Sequence, residues 1–390
     1  NDVYCRPLTE AAAPHANDPD PDRVLRIGYV SADFKQHSAA QGFIPLIMCS
    51  RKDQVRTYLY NVDQSPLNPE DNLPDWFKVL GDEWRNMVGV SDNVLADAVR
   101  ADEIDILVDL SGYSSGGRPL AFARKPAPIQ ISGFGYATGL GIDAMDYIVG
   151  DDTLTPAEPA QQYHERVLRL PIFMGSEKAP PWPDIGPPPS IRNGYVTFGY
   201  MGRAVKISPQ SLDAWARILT AVPDAHILFK SGSFLDEPSR AMIRGPLTAL
   251  GVEPERIGFR GGTNRPDHLE AHGELDISLD PFPHGGGVTT VDSLLMGVPT
   301  ITLFGDYICG RTGASILTAL GFRAAVARTV DEYVKHAVET ARTEWTLEDR
   351  EGLRRRLTGS ILLNETHYAA IVEDAFRDVW RRWCSERVAV

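Results

Sequence analysis

The sequence predicts an α/β protein made of two doubly wound, mainly parallel sheets in tandem. Short β-branched runs alternate with amphipathic stretches, which is the signature of βαβ units. The alternation breaks once, at SEKAPPWPDIGPPPSIRN (176–193), where six prolines and a lack of periodicity are incompatible with a helix or a central strand. A chain of 390 residues also suits two to three domains.

Taken in order, residues 1–22 are rich in Ala, Pro and Asp and read as a linker. Their DPDPD run contains a DxD metal-binding pattern, but no strand precedes it and it reads as solvated coil. The chain opens on Asn1 rather than Met, so a segment upstream is expected. VLRIGYVS (24–31) is the first strand, and SAAQGFIPLIMCS (38–50) a helix capped by Ser38. VRTYLYNV, the helical NVLADAVRA, IDILVDLSG, LAFARK, PIQISGF, MDYIVGD and RVLRLP continue the series and complete a domain over 23–175. After the Pro-rich linker 176–193, a second domain spans 194–365. It begins with YVTFGY and a helix that opens with Ser208 as cap and Pro209 in the first turn, running through Leu212, Trp215, Ile218 and Leu219. HILFKS, RIGFRG, ELDISLD, a helix from about Thr289, and PTITLF follow. In the last stretch, 366–390, Tyr368, Ile371, Val372, Ala375, Phe376, Val379, Trp380 and Trp383 form one apolar stripe. A closing helix that bridges both domains would bury it; packing on its own domain alone is the alternative.

Composition narrows the function classes. Hydrophobic residues at 43% and charged residues at 23% support a large core and exclude disorder as the main state. The net charge of −13 argues against nucleic acid or an anionic membrane as partner. Cys5, Cys49, Cys309 and Cys384 are scattered without ligand spacing, so neither a zinc site nor a disulfide framework is expected, and a reducing cytoplasm is the expected compartment. No apolar run reaches membrane-helix length and no signal pattern opens the chain. No GxGxxG or GxxxxGK[ST] motif follows an expected strand, which argues against a nicotinamide dehydrogenase and a P-loop NTPase.

Ligands of doubly wound sheets bind beyond the carboxyl ends of strands, so the cleft between the domains is the expected site. The most informative segment is ELDISLDPFPHGGGVTTVDSLLMGVP (274–299). Gly285, Gly286 and Gly287 after His284 let a ligand approach the backbone, and Thr289 and Thr290 place hydroxyls at the positive end of a helix. This pattern reads as a phosphate seat, with a plain glycine-rich turn as the alternative. Asp292, one turn on, can accept from ribose hydroxyls or simply favour the helix start. Lys206 and Arg203 follow YVTFGY, where cations neutralise a diphosphate unless Lys206 is a solvated surface lysine. His268 can stack on a base or cap its helix. In the first domain His37 follows VLRIGYVS, placed to move a proton or to bond a hydroxyl, or to do neither. A loop GYSSGGRP offers Gly112, Tyr113 and Arg118, and ISGFGYATGLG adds Tyr136.

Together LRIGYVSADFKQHS, IDILVDLSGYSSGGRPLAFARKPAPIQISGFGYATGLGIDAMDYIVGD, YVTFGYMGRAVKISPQSLDAWARIL and DISLDPFPHGGGVTTVDSLLMGVPTITL resemble the catalytic region of the O-linked N-acetylglucosamine transferase and SPINDLY family. The resemblance runs from about residue 24 to 383. It implies a GT-B protein glycosyltransferase that inverts the anomeric centre, uses neither metal nor cofactor, and moves a sugar from a nucleotide diphosphate donor to Ser or Thr hydroxyls of a protein, flagellin being one acceptor among relatives. It further implies tetratricopeptide repeats upstream. By the same resemblance His37 falls on the active-site histidine beside the acceptor and Lys206 on the lysine that binds the donor diphosphate. His268 falls near the nucleotide base, Thr289 and Thr290 at the phosphate-binding helix start, and Asp292 at the ribose. The chain departs from the family pattern at Met201-Gly202-Arg203, where members carry Phe-Asn-Asn or Phe-Asn-Gln. HGGGVTT also replaces the NGHTT of N-acetylglucosamine transferases and by spacing lies closer to SPINDLY, so UDP-GlcNAc and GDP-fucose both stand as donor types. A nucleotide-sugar epimerase, or a non-catalytic module that binds nucleotide sugar or docks a partner, are the rival functions.

Overall fold

The computed structural model describes residues 1–63, 73–157 and 163–388. The chain forms two compact units, Asn1–Lys178 with Ile361–Val390, and Ala179–Ser360. The first holds seven parallel strands: β1 (Leu25–Ser31), β2 (Val55–Asn61), β3 (Glu83–Asn86), β4 (Ile106–Asp109), β5 (Ile129–Ser132), β6 (Tyr147–Gly150) and β7 (Arg166–Arg169), in the order β3-β2-β1-β4-β5-β6-β7. The second holds six: β8 (Thr197–Tyr200), β9 (His226–Lys230), β10 (Ile257–Arg260), β11 (Ile277–Leu279), β12 (Thr300–Leu303) and β13 (Val326–Ala327), in the order β10-β9-β8-β11-β12-β13. Each sheet therefore starts in its middle and winds outward in both directions, the doubly wound Rossmann pattern, and this tandem is the GT-B fold. Among the strands, β4, β5, β6 and β8 are buried throughout, as helices covering both faces require. Edge strands β3 and β13 are short and half-buried, and neither has an apolar run that the sequence reading could detect.

The switch points lie between β1 and β4 in the first sheet and between β8 and β11 in the second, where consecutive connections leave toward opposite sides. In the second unit the helix Pro209–Ala221 starts as expected, with Ser208 Oγ accepting from the Ser211 amide and Pro209 in the first turn. Its residues Leu212, Trp215, Ile218 and Leu219 enter the core beside Phe198, Phe229 and Tyr333.

Three local expectations are corrected. The helix expected to be capped by Ser38 runs over Ala40–Met48 with Ala39 at its cap and no side-chain cap bond. The Pro-rich stretch contains a one-turn helix, Pro189–Asn193, because Pro189 occupies the first turn, where its missing N–H costs nothing, and Gly194 ends it at φ +78°. Residues 1–22 are not a free linker: Arg6–Glu10 is helical, Cys5 is buried, Arg6 Nε lies 2.8 Å from Asp143 Oδ2, and Asn17 Nδ2 2.8 Å from Asp105 Oδ1. The DPDPD run is exposed and without helix or strand, as expected of solvated coil, although Asp20 O accepts from Trp380 Nε1 at 3.0 Å and Arg381 pairs with Asp22 at 2.8 Å.

The last helix, Glu365–Val388, follows the second unit in the chain but belongs to the first. Tyr368, Val372, Phe376 and Trp380 on its stripe are fully buried, and Phe376 meets Phe134 edge-on at 6.4 Å. Arg51, just after the helix Ala40–Met48, reaches Glu373 at 2.6 Å. No helix among the described residues is long and apolar enough to cross a membrane.

Candidate functional site

At the second switch point, the loops after β8 and β11 leave adjacent strands and converge. The first ends in a short 3₁₀ turn, Ala204–Lys206, which carries the Lys206 ammonium to the Gly285 carbonyl at 2.9 Å. The second begins with the buried Asp280, runs through His284 and the three glycines, and enters the helix Val288–Leu295, whose Gly287 cap position supplies no side-chain bond. Its first amides are thus open to an anion. Gly286 is required sterically: a Cβ there would lie 2.4 Å from Asp280 Oδ1 and 2.5 Å from Thr290 Oγ1. Thr312 Oγ1 donates to the Gly286 carbonyl at 2.5 Å, and the Gly285 amide donates to Cys309 O at 3.0 Å, so the glycines are held in one shape.

Charges in this seat are tuned by burial. Burial pushes the Lys206 ammonium below the usual lysine range, with Asp280 opposing and Arg203 adding to the effect. Burial raises Asp280 to about 6 despite Lys206, the Gly286 amide and the Thr290 hydroxyl. Desolvation, with Lys206 and Arg203 nearby, lowers His284 to about 4, so this imidazole is neutral at pH 7. Thr290 is committed to Asp280, whereas the buried Thr289 Oγ1 has no hydrogen-bond partner among the described residues. Arg203 is exposed.

Beyond β9 lies a second cluster. Arg265 and His268 stand on the helix Arg265–Ala271, which Asn264 caps through the Asp267 amide. Asp292 is buried and both of its oxygens accept from Arg265 at 2.6 Å. The acidic residue expected at a ribose is therefore neutralised by a cation that the sequence reading did not single out. His268 Nδ1 lies 3.2 Å from Lys230 Nζ and its Nε2 3.8 Å from Asp292 Oδ2. Burial, then the neighbouring His272, lowers His268 to about 4.

In the first unit the loops after β1 and β4 likewise leave adjacent strands. His37 Nδ1 is 3.5 Å from Asp33 Oδ2 and 3.3 Å from the Ala39 amide. Asp109, closing β4, accepts from the Ser111 and Gly112 amides at 3.1 and 3.0 Å, and burial raises it to about 6. Gly112 has φ +54° and lies under the Tyr136 ring, where a Cβ would come within 2.0 Å, so no side chain fits. Tyr113 is exposed, with its hydroxyl on Leu140 O at 2.7 Å. Arg118, expected with this acceptor-side loop, is instead buried against Asp92 at 2.5 Å and the Val90 carbonyl at 2.8 Å, and anchors the loop. Among the described residues, no group of three or more His, Cys, Asp or Glu is placed to hold a metal ion.

Residues 8–179 and 190–372 match the family described as glycosyl transferase family 41. The chain belongs to this family. It is 32% identical to the Petunia hybrida protein named "Probable UDP-N-acetylglucosamine--peptide N-acetylglucosaminyltransferase SPINDLY", covering 94% of this chain and 40% of that protein. It is 34% identical to the Oryza sativa protein of the same name, over 93% of this chain and 40% of the relative. The chain thus spans about 40% of the length of these curated relatives. Among solved structures it is similar to a mutant of the Thermobaculum terrenum O-GlcNAc transferase, at 35% identity and a TM-score of 0.92, covering 99% of this chain and 73% of that one. A lipopolysaccharide galactosyltransferase, WaaB, shares the fold at 14% identity and a TM-score of 0.57, over 91% of this chain and 100% of that one.

Within this family 41 chain, sequence reasoning missed Asp280, Thr312, Arg265, Lys230 and Asp109. Three of them carried a legible signal. Asp109, Lys230 and Asp280 are charged residues placed at or just after the carboxyl end of an apolar strand, where burial would otherwise forbid a charge. Arg265 and Thr312 had none, because their partners Asp292 and Gly286 lie 27 and 26 residues away.

Proposed function

We propose that the chain is the catalytic region of an inverting, metal-independent protein glycosyltransferase that moves a sugar from a nucleotide diphosphate donor to Ser or Thr hydroxyls. The observation that carries this reading is the seat of the second unit: the partly desolvated Lys206 ammonium on Gly285 O, next to an uncapped helix start after three glycines. When the bond from the anomeric carbon to the diphosphate oxygen breaks, negative charge grows on the leaving group. Lys206 and the helix amides are fixed in place to receive it, with the exposed Arg203 adding positive charge nearby, so little reorganisation accompanies the step. The hydroxyl oxygen forms the new bond and gives up its proton, and His37 of the first unit is the residue proposed to handle it.

The names of these relatives favour UDP-N-acetylglucosamine as donor and a peptide as acceptor. GDP-fucose remains the second donor type, because HGGGVTT is spaced as in SPINDLY. A cytoplasmic location for this chain, an acceptor such as flagellin or another Ser/Thr-bearing protein, and tetratricopeptide repeats upstream that help to select it belong to the same proposal.

The test is transfer to acceptor protein, read as mass gain, with UDP-, GDP- and CMP-sugars for wild type and Lys206→Ala. Removing a charge-assisted phosphate contact in a partly buried seat is expected to lower the rate about a hundredfold, or about 3 kcal/mol. A Lys206→Ala protein within twofold of wild type overturns the seat. Sugar conversion without acceptor would indicate an epimerase, and saturable donor binding with no transfer a binding module.

A further inference from the structure

Lys230 closes β9 and is 3% exposed, yet no carboxylate among the described residues pairs with it. Its ammonium donates to Thr263 Oγ1 at 2.9 Å and lies 3.2 Å from His268 Nδ1. An ammonium is a donor only, so the facing ring nitrogen must present its lone pair. We propose that Lys230 is a positioning residue of the donor site: it holds His268 in the form that carries its proton on Nε2, so that the ring meets the nucleotide as an N–H donor rather than as an acceptor. This rests on the reading of the second unit as the donor site and goes beyond it, because it names what fixes the chemistry of the base-side histidine.

The surroundings leave that proton available. Asp292 Oδ2 is 3.8 Å from Nε2, beyond hydrogen-bond distance, and both Asp292 oxygens are taken by Arg265. His272 packs edge-on against His268 at 5.1 Å, but its Nδ1 is bound to the His268 carbonyl at 3.0 Å rather than to the ring. Lys230, His272 and Arg265 all disfavour a second proton on the ring, Asp292 alone favours it, and burial outweighs them all. The ligand group that such a ring selects is an acceptor: a keto oxygen of a base, or a ribose or phosphate oxygen.

The test uses the whole chain labelled with ¹⁵N-histidine, its His268 signals assigned by difference with His268→Gln. Wild type at pH 7 is expected to show the neutral Nε2–H pattern. Lys230→Met is expected to lose it, to a mixed or Nδ1–H pattern, and to bind UDP or GDP about tenfold more weakly by calorimetry. Lys230→Gln, whose amide also donates, is expected to keep the pattern, which separates positioning from bulk and covers the case in which Lys230→Met does not fold. An Nδ1–H or protonated His268 in wild type, or an unchanged pattern in Lys230→Met, overturns the proposal. An Nε2–H pattern in a wild-type protein that binds neither UDP nor GDP overturns the donor reading instead, and the ligand role with it.

Discussion

Asp280 shows how much a single residue in the seat depends on its surroundings. Its carboxyl is shifted by burial from 3.8 to about 6, so the native state binds its proton more tightly than the unfolded chain. A group raised in this way stabilises the fold below about pH 4, and the contribution disappears as pH rises through about 6. The amount is on the order of 3 kcal/mol. Asp280→Asn is therefore expected to flatten the decline in unfolding free energy between pH 4 and 7, measured by urea denaturation across that range. An unaltered pH slope would show that the site stays hydrated. His37 is governed by a competition at Nδ1. The Ala39 amide at 3.3 Å asks for a lone pair there, whereas Asp33 at 3.5 Å asks for a proton. Only the second form leaves Nε2 able to take a proton from an acceptor. If His37 is the base, Asp33→Asn should lower kcat at least about tenfold and leave donor KM nearly unchanged. Equal kcat in both proteins would leave His37 with orientation only. The sequence made His37, Lys206 and the glycines visible because each follows an apolar strand run, but protonation and pairing depend on neighbours that are distant in sequence.

Among the elements, the helix Pro209–Ala221 and the turn after β11 are locked together. Ser211 Oγ accepts from the Phe282 amide and donates to the Phe282 carbonyl, both at 2.9 Å, and Ser208 Oγ also bonds that carbonyl. The first turn of this helix therefore fixes where the loop begins that ends in Gly287. Ser211→Ala leaves the buried Phe282 amide without its partner, while the carbonyl keeps Ser208 Oγ, a loss of about 1–3 kcal/mol. The expected outcome is a lower Tm by calorimetry together with a raised donor KM. A fall in Tm with donor KM untouched would separate the lock from the seat. The Ser208-Pro209 start was legible because capping is local, an exchange between neighbours within one turn. Ser38 failed as a cap, although it has the same chemistry, because the chain enters that helix with His37 O already bonded to the Ala40 amide. Pro189 likewise looked like a breaker and became a helix start, since proline is disfavoured in a helix interior but tolerated in its first turn.

For the molecule as a whole, the consequential finding is that both chain ends complete the first unit. The segment before β1 and the helix Glu365–Val388 are pinned to each other: Arg377 bonds the Pro21 and Arg23 carbonyls at 2.9 and 2.8 Å, and the Arg23 guanidinium lies 4.8 Å from the Trp380 ring centroid. Trp380 is fully buried and stacks on Trp383 at 4.7 Å. Trp380→Ala is expected to lose about 3–5 kcal/mol and to expose residues 11–24 to protease, read by thermal melting and limited proteolysis. Cleavage no faster than in wild type would mean that the segment holds without the helix. By itself the sequence determined the two wound sheets, the break between the series, the apolar stripe of the last helix and the glycine-rich seat, because periodicity, turn residues and helix caps act over a few residues. Tertiary structure alone decided that the last helix joins the first unit, that residues 1–22 are laid down as ordered chain, that Arg265 neutralises Asp292 and that Arg118 faces inward. Those outcomes depend on burial and on charges that meet only after the chain has folded.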